Sequence, residues 1–275
     1  VTCKLEEMKN NTDAFTRLKI EQQRILDFAL LTCHAMPNLS KTIKGIECNI
    51  KDYGLTKPTY FEQIEDLARL KALLKHSDDN LAKYILFSSW SFFEFYFKDA
   101  MSELLDFYGG KENFINGINL LHTKKINQNK LHLDKTKKLR EPPKPGKKDK
   151  YKKALSELSS IPKYTFTSEF FSLWGAKYFV DYVASKKFVS ADIPVLLKEM
   201  FGMDMSDKIN EYGELKDMDL VQTFDSMRDY RNKIGHGEIV TVPLNKVMAY
   251  NKFLRFFALK IDNFLIENYF ILNNI

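Results

Sequence analysis

Long apolar runs, paired cysteines, clustered metal ligands and glycine-rich phosphate loops are all missing from this 275-residue sequence, and each absence removes a class of function. No stretch approaches the roughly eighteen uncharged apolar residues that a membrane-crossing helix needs. Even the aromatic run from Tyr84 to Phe93 is bracketed by Lys83 and Glu94, so no membrane attachment is expected. Cys3, Cys33 and Cys48 form no CxxC pair and have no histidine at zinc spacing. Their odd number argues against a disulfide framework and fits a reducing, cytoplasmic compartment. The first residues carry no positive segment followed by an apolar block, so no secretory signal is expected there. GxxxxGK, GxGxxG and GxSxG patterns are absent, which argues against a P-loop, a dinucleotide fold and a serine hydrolase elbow. Chemistry without metal or cofactor is the consistent expectation.

What is present is an ample supply of rings, 22 Phe, 13 Tyr and 2 Trp, within a chain that is 44% hydrophobic. That is enough for one large packed core with aromatic side chains left over for a partner surface. The net charge of +6 is unevenly placed. Residues 122–153 hold thirteen Lys/Arg against three acids, a local +10 that leaves about −4 for the rest. A patch of this kind attracts polyanions by counterion release and steering. It also contains Pro142, Pro143, Pro145 and Gly146, so a solvated insertion without a ligand is an equally good reading of the same residues.

Helical periodicity dominates and alternating strand patterns are scarce, so the expected fold class is all-α. A first helix spans about Asp13 to His34 and ends near Pro37; a second block runs from near Thr59 to His76. Asp78 and Asp79 are placed to cap a long central helix from about Asn80 to Tyr108, stopped by Gly109 and Gly110. After the basic insertion come a short block to Leu158 and an aromatic helix from Thr167 to about Ser185. Asp192 and Pro194 then start a short helix, and two last helices run from about Asp217 to Gly235 and from Pro243 to about Tyr269. The expected organisation is an N-terminal helical extension, 1–78, and one helical domain, 79–275, interrupted by the Lys-rich insertion at about 122–153.

One segment combines unusual residues. On the helix ending at Gly235, Leu220, Phe224, Met227 and Ile234 fall on the spacing of a buried stripe, and Arg231 occupies the missing position. A guanidinium on an apolar face needs a carboxylate, a phosphate or several acceptors, because an unpaired buried charge costs several kcal/mol. The central helix has a similar oddity, since Trp90, Phe97 and Met101 share a stripe whose fourth position is Glu94. If the two helices pack together, Glu94 and Arg231 would meet, either as a structural pair or as a clamp that aims the guanidinium. His236 follows Arg231 by five positions, which on a continuous helix separates them by about 140°. The flanking Gly235 and Gly237 are expected to let the imidazole swing back toward the arginine.

The run Arg231-Asn232-Lys233-Ile234-Gly235-His236-Gly237 resembles the R-N-x-x-x-H signature of HEPN domains, a superfamily of helical ribonucleases and nucleotide-linked modules. The segment around Glu94 is similar to the earlier helix that often carries an acidic residue among apolar ones in that family. The resemblance implies a HEPN-like helical bundle and metal-independent RNA cleavage. It further implies a homodimer whose two motifs share one cleft, and a role as a bacterial toxin or anti-phage effector, with an antitoxin or regulatory protein as a further partner. Arg231 and His236 would be catalytic, with Asn232 and Glu94 supporting them. The basic patch, which has no counterpart in the resemblance, adds the expectation that Lys124, Lys125, Lys137, Lys138, Lys147 and Lys148 recruit RNA. The alternative is a non-catalytic helical module that uses the same motif to bind RNA, a nucleotide or a protein.

The chemistry agrees with that implication. Attack by the 2′-OH of RNA needs a base, an acid for the leaving 5′-oxygen and positive charge on the phosphorane. Histidine, with an ordinary pKa of ~6.5, serves as acid or base near neutral pH. Arginine keeps its charge and offers planar donors to the non-bridging oxygens. One histidine does not readily fill both proton-transfer roles at once, so two copies of His236 across a dimer axis would complete the set.

Overall fold

The computed structural model describes residues 10–55, 67–117, 188–201, 203–205 and 219–270. The basic insertion, with Lys124, Lys125, Lys137, Lys138, Lys147 and Lys148, and the expected helix from Thr167 to Ser185 lie outside the described residues. The helices that organise the rest are α1 Asp13–Glu47, α2 Leu67–Lys75, α3 Ser77–Phe107, α4 Ile193–Leu196, α5 Leu220–Gly235 and α6 Leu244–Asn268, and residues 111–117 are helical as well. There is no β-strand among the described residues, so the fold is all-α.

α3 is the axis of the molecule. α1, α5 and α6 each pack against it, which explains why its buried positions wrap much of its circumference: Leu86, Trp90, Phe93, Tyr96, Phe97, Ala100 and Leu104. Phe93 stacks on Phe257 of α6 at 5.6 Å between ring centres and meets Phe224 of α5 edge-on at 5.9 Å. Full burial of such a side chain contributes about 1.5–3 kcal/mol. Buried polar atoms are paired across the same seams: Ser89 Oγ donates to Asn251 Oδ1 at 2.9 Å, and Tyr96 Oη donates to the Ala258 carbonyl at 3.0 Å. Burial pushes the Tyr96 phenol well above its ordinary pKa, with the negative charges of Asp262 and Glu103 adding to the effect, so it remains a donor.

The start of α1 is fastened by carboxylates from two other helices. Thr12 caps the helix, its hydroxyl accepting from Phe15 N–H at 3.0 Å. Asp262 of α6 accepts from the Thr12 hydroxyl, from Thr12 N–H at 3.2 Å and from Asn11 Nδ2 at 3.1 Å. Glu103 of α3 accepts from Asp13 and Ala14 N–H, each at 3.1 Å. Phe15, Leu18, Ile25 and Ala29 of α1 belong to the same hydrophobic cluster as α3, α5 and α6.

Two expectations about helix ends change. α1 does not stop near Pro37 but continues through it to Glu47. Pro37 is exposed, as is Cys33, whose carbonyl loses its helical partner there, and Asn38 Nδ2 donates to the His34 carbonyl at 3.1 Å. Asp78 and Asp79 do not cap α3; they lie in its first turn, and His76 holds the cap position without a side-chain hydrogen bond. Asp79 instead accepts from Val242 N–H at 3.4 Å, tying the link between α5 and α6 to α3. The stop at Gly109 and Gly110 is as expected. Both take positive φ, 74° and 113°, and their N–H groups bond to Asp106 and Leu105 carbonyls at 2.9 Å. Among the described residues no helix is long and apolar enough to cross a membrane.

Candidate functional site

α5 starts at Asp219, whose side chain accepts from Gln222 N–H at 2.6 Å, and buries Leu220, Phe224 and Met227 against the core. Ile234 is partly buried against the same cluster. Arg231 therefore lies at the margin of the apolar stripe, partly buried. Its guanidinium carbon is 5.3 Å from the centre of the Phe87 ring of α3. Nη1 donates to Asn232 Oδ1 at 3.1 Å, while Nε is buried with no hydrogen-bond partner among the described residues.

Glu94 does not meet Arg231. It pairs along its own helix with Lys98, at 3.8 Å, and lies two turns beyond Phe87, about 10 Å along α3. The buried face of α3 passes through Phe93 and Phe97 rather than Glu94, whose side chain keeps 22% of its surface exposed. The two acids nearest Arg231 in sequence are also occupied, since Arg228 binds Asp225 at 2.9 Å and Asp229 at 3.2 Å. Among the described residues Arg231 thus has no carboxylate partner.

The C-terminus of α5 explains the two glycines differently. His236 is the cap residue, and its N–H bonds to the Asn232 carbonyl at 2.9 Å, so helical geometry persists up to the histidine. Gly237 follows with φ 75°. Its N–H bonds to Ile234 O at 3.1 Å, and Glu238 N–H reaches back to Lys233 O at 3.0 Å. This is the paired bonding of a Schellman stop, for which glycine is favoured. Gly235 stays helical. The glycines therefore do not swing His236 toward Arg231. The Arg231 head bonds to Asn232, and Asn232 sits one turn before His236 on the same face. His236 is exposed and its imidazole bonds to none of the described residues.

Phe87 is the site residue that sequence reasoning missed. Rings occur on every side of α3, so periodicity alone does not select the one that meets α5. At the neighbouring position of α5, Lys246 of α6 donates to Tyr230 Oη at 3.2 Å and lies 4.7 Å from that ring's centre, fastening the two helices. No group of three or more His, Cys, Asp or Glu with metal-binding geometry occurs among the described residues. The family model described as RiboL-PSP-HEPN matches residues 59–267. No curated protein and no solved structure matches the chain.

Proposed function

Because the chain belongs to the RiboL-PSP-HEPN family, we propose that it is a metal-independent endoribonuclease in which Arg231 and His236 carry the chemistry and Asn232 supports them. The observation that carries this reading is the state of Arg231: a partly buried guanidinium with no carboxylate partner among the described residues, hydrogen-bonded to Asn232, whose side chain is one turn before an exposed histidine. A fold that leaves a cation unpaired at its margin keeps it available for an anion from solution. In the proposed reaction His236 takes the proton of the 2′-OH as that oxygen attacks phosphorus. The 5′-oxygen leaves with a proton from the second copy's His236, and Arg231 neutralises the charge gathering on the non-bridging oxygens.

Dimerisation is part of the proposal. Its support is the single histidine of the motif, which does not readily fill both proton-transfer roles at once, and the fully exposed Ile239 three residues beyond it, an apolar side chain suited to a contact between copies. Recruitment of RNA by the lysines of 122–153, and a role as a toxin or in anti-phage defence, complete the reading.

The test is cleavage of mixed RNA in EDTA by the parent, Arg231→Ala and His236→Ala, with product ends identified. Ends bearing 2′,3′-cyclic phosphate in the parent alone are expected. Equal cleavage by all three proteins removes the assignment, and no cleavage by any favours the non-catalytic binding module.

A further inference from the structure

Charged side chains near the α3–α5 seam are mostly neutralised by a neighbour: Lys98 by Glu94, Lys83 by Asp79, and Arg228 by Asp225 and Asp229. Arg231 differs in that, among the described residues, it meets uncharged groups, the face of Phe87 and the amide oxygen of Asn232. A carboxylate would hold the guanidinium through two charge-assisted bonds and would compete with any incoming phosphate. An aromatic face attracts the cation through its quadrupole and leaves the charge intact. Phe87 is well placed to do this. Its Cε2 lies 3.6 Å from where a side chain at Gly235 would begin, so the ring covers the flank of α5 at Arg231 and at the next turn. Its other surface stays open, with 39% of the residue exposed.

We infer that Phe87 is a positioning residue for Arg231, holding the guanidinium by its ring face so that a phosphodiester meets a fixed and undiminished positive charge. The inference deepens the ribonuclease reading and rests on it for its consequence in catalysis, but the hold of Phe87 on Arg231 can be observed without any reaction.

The experiment replaces Phe87 with mono- and trifluorinated phenylalanine, which preserve shape while draining the ring face of electron density, and separately makes Phe87→Leu and Phe87→Trp. Two quantities are read on each folded protein: solvent exchange of the Arg231 Nε–H by NMR, assigned with Arg231→Ala, and RNA cleavage in EDTA. Exchange should quicken stepwise with fluorination. Cleavage should fall in the same order, by about three- to thirty-fold from Phe to trifluorinated Phe or Leu, with Trp retaining activity. Unchanged exchange and cleavage across the fluorinated series overturns the inference, even if Arg231→Ala is inactive and the ribonuclease reading stands. If Arg231→Ala cleaves as well as the parent, that reading fails, and the exchange series alone then decides whether Phe87 holds Arg231.

Discussion

Asp262 is a fully buried ionisable side chain and Arg231 a partly buried one at the margin of the same core, and the fold treats them oppositely. Asp262 receives three hydrogen bonds and closes the start of α1 onto α6. Arg231 donates one, to a neighbouring amide oxygen, and keeps a buried Nε without a partner among the described residues. Desolvation acts on both, more fully on Asp262, and the difference fits the proposed division of labour, in which one group holds the fold and the other is kept for a ligand.

That contrast is broken most severely at Asp262. Asp262→Ala leaves Thr12, which is 1% exposed, without its acceptor for both N–H and hydroxyl, and should destabilise by about 3 kcal/mol in urea unfolding. A loss below a few tenths would mean that the start of α1 is not fastened there. The pH dependence sharpens the same point. Burial raises the Asp262 carboxyl above its ordinary value, although the bonds from Thr12 and Asn11 oppose this. Between the unfolded value of about 4 and that raised folded value, the native state binds more protons than the unfolded chain. Its contribution to stability must therefore fall as pH rises through that window. Subtracting the pH profile of Asp262→Asn from that of the parent isolates the slope; a difference that rises with pH would reverse the assignment.

Smaller effects separate the two glycines around His236. Gly237→Ala must force an L side chain into φ 75° and should cost about 1 kcal/mol. Gly235→Ala adds a methyl group at ordinary contact distance from Phe87 inside a helix, and should be neutral or stabilising by up to about 1 kcal/mol. Equal costs at both positions would contradict the Schellman stop.

Much of the fold was legible because its signals are local. The glycines after Tyr108, Pro194 in the first turn of α4 and Pro243 before α6 act through their own backbone, so the sequence carries them openly. The stripe through Leu220, Phe224 and Met227 was legible because α5 buries only one face. α3 was not legible in that way, since three helices press on it and no single stripe distinguishes the neighbours of α1, α5 and α6. Glu94 was for that reason expected opposite Arg231, and Phe87 was passed over. Pro37 misled because a proline halts a helix only where the lost hydrogen bond matters, and here Pro37 and Cys33 lie on an exposed face. At the site, the oddity of Arg231 on an apolar face was readable from spacing alone. Its contact with a ring in place of an acid was not, because it depends on how α3 and α5 dock.

The most direct measurement is Arg231→Met, followed in parallel for unfolding free energy and RNA cleavage. An arginine reserved for substrate is a burden to the fold. The account therefore predicts unchanged or higher stability, by up to about 1 kcal/mol, together with at least about a hundred-fold loss of cleavage. Clear destabilisation with cleavage retained would contradict it, making Arg231 a structural residue and moving the chemistry elsewhere.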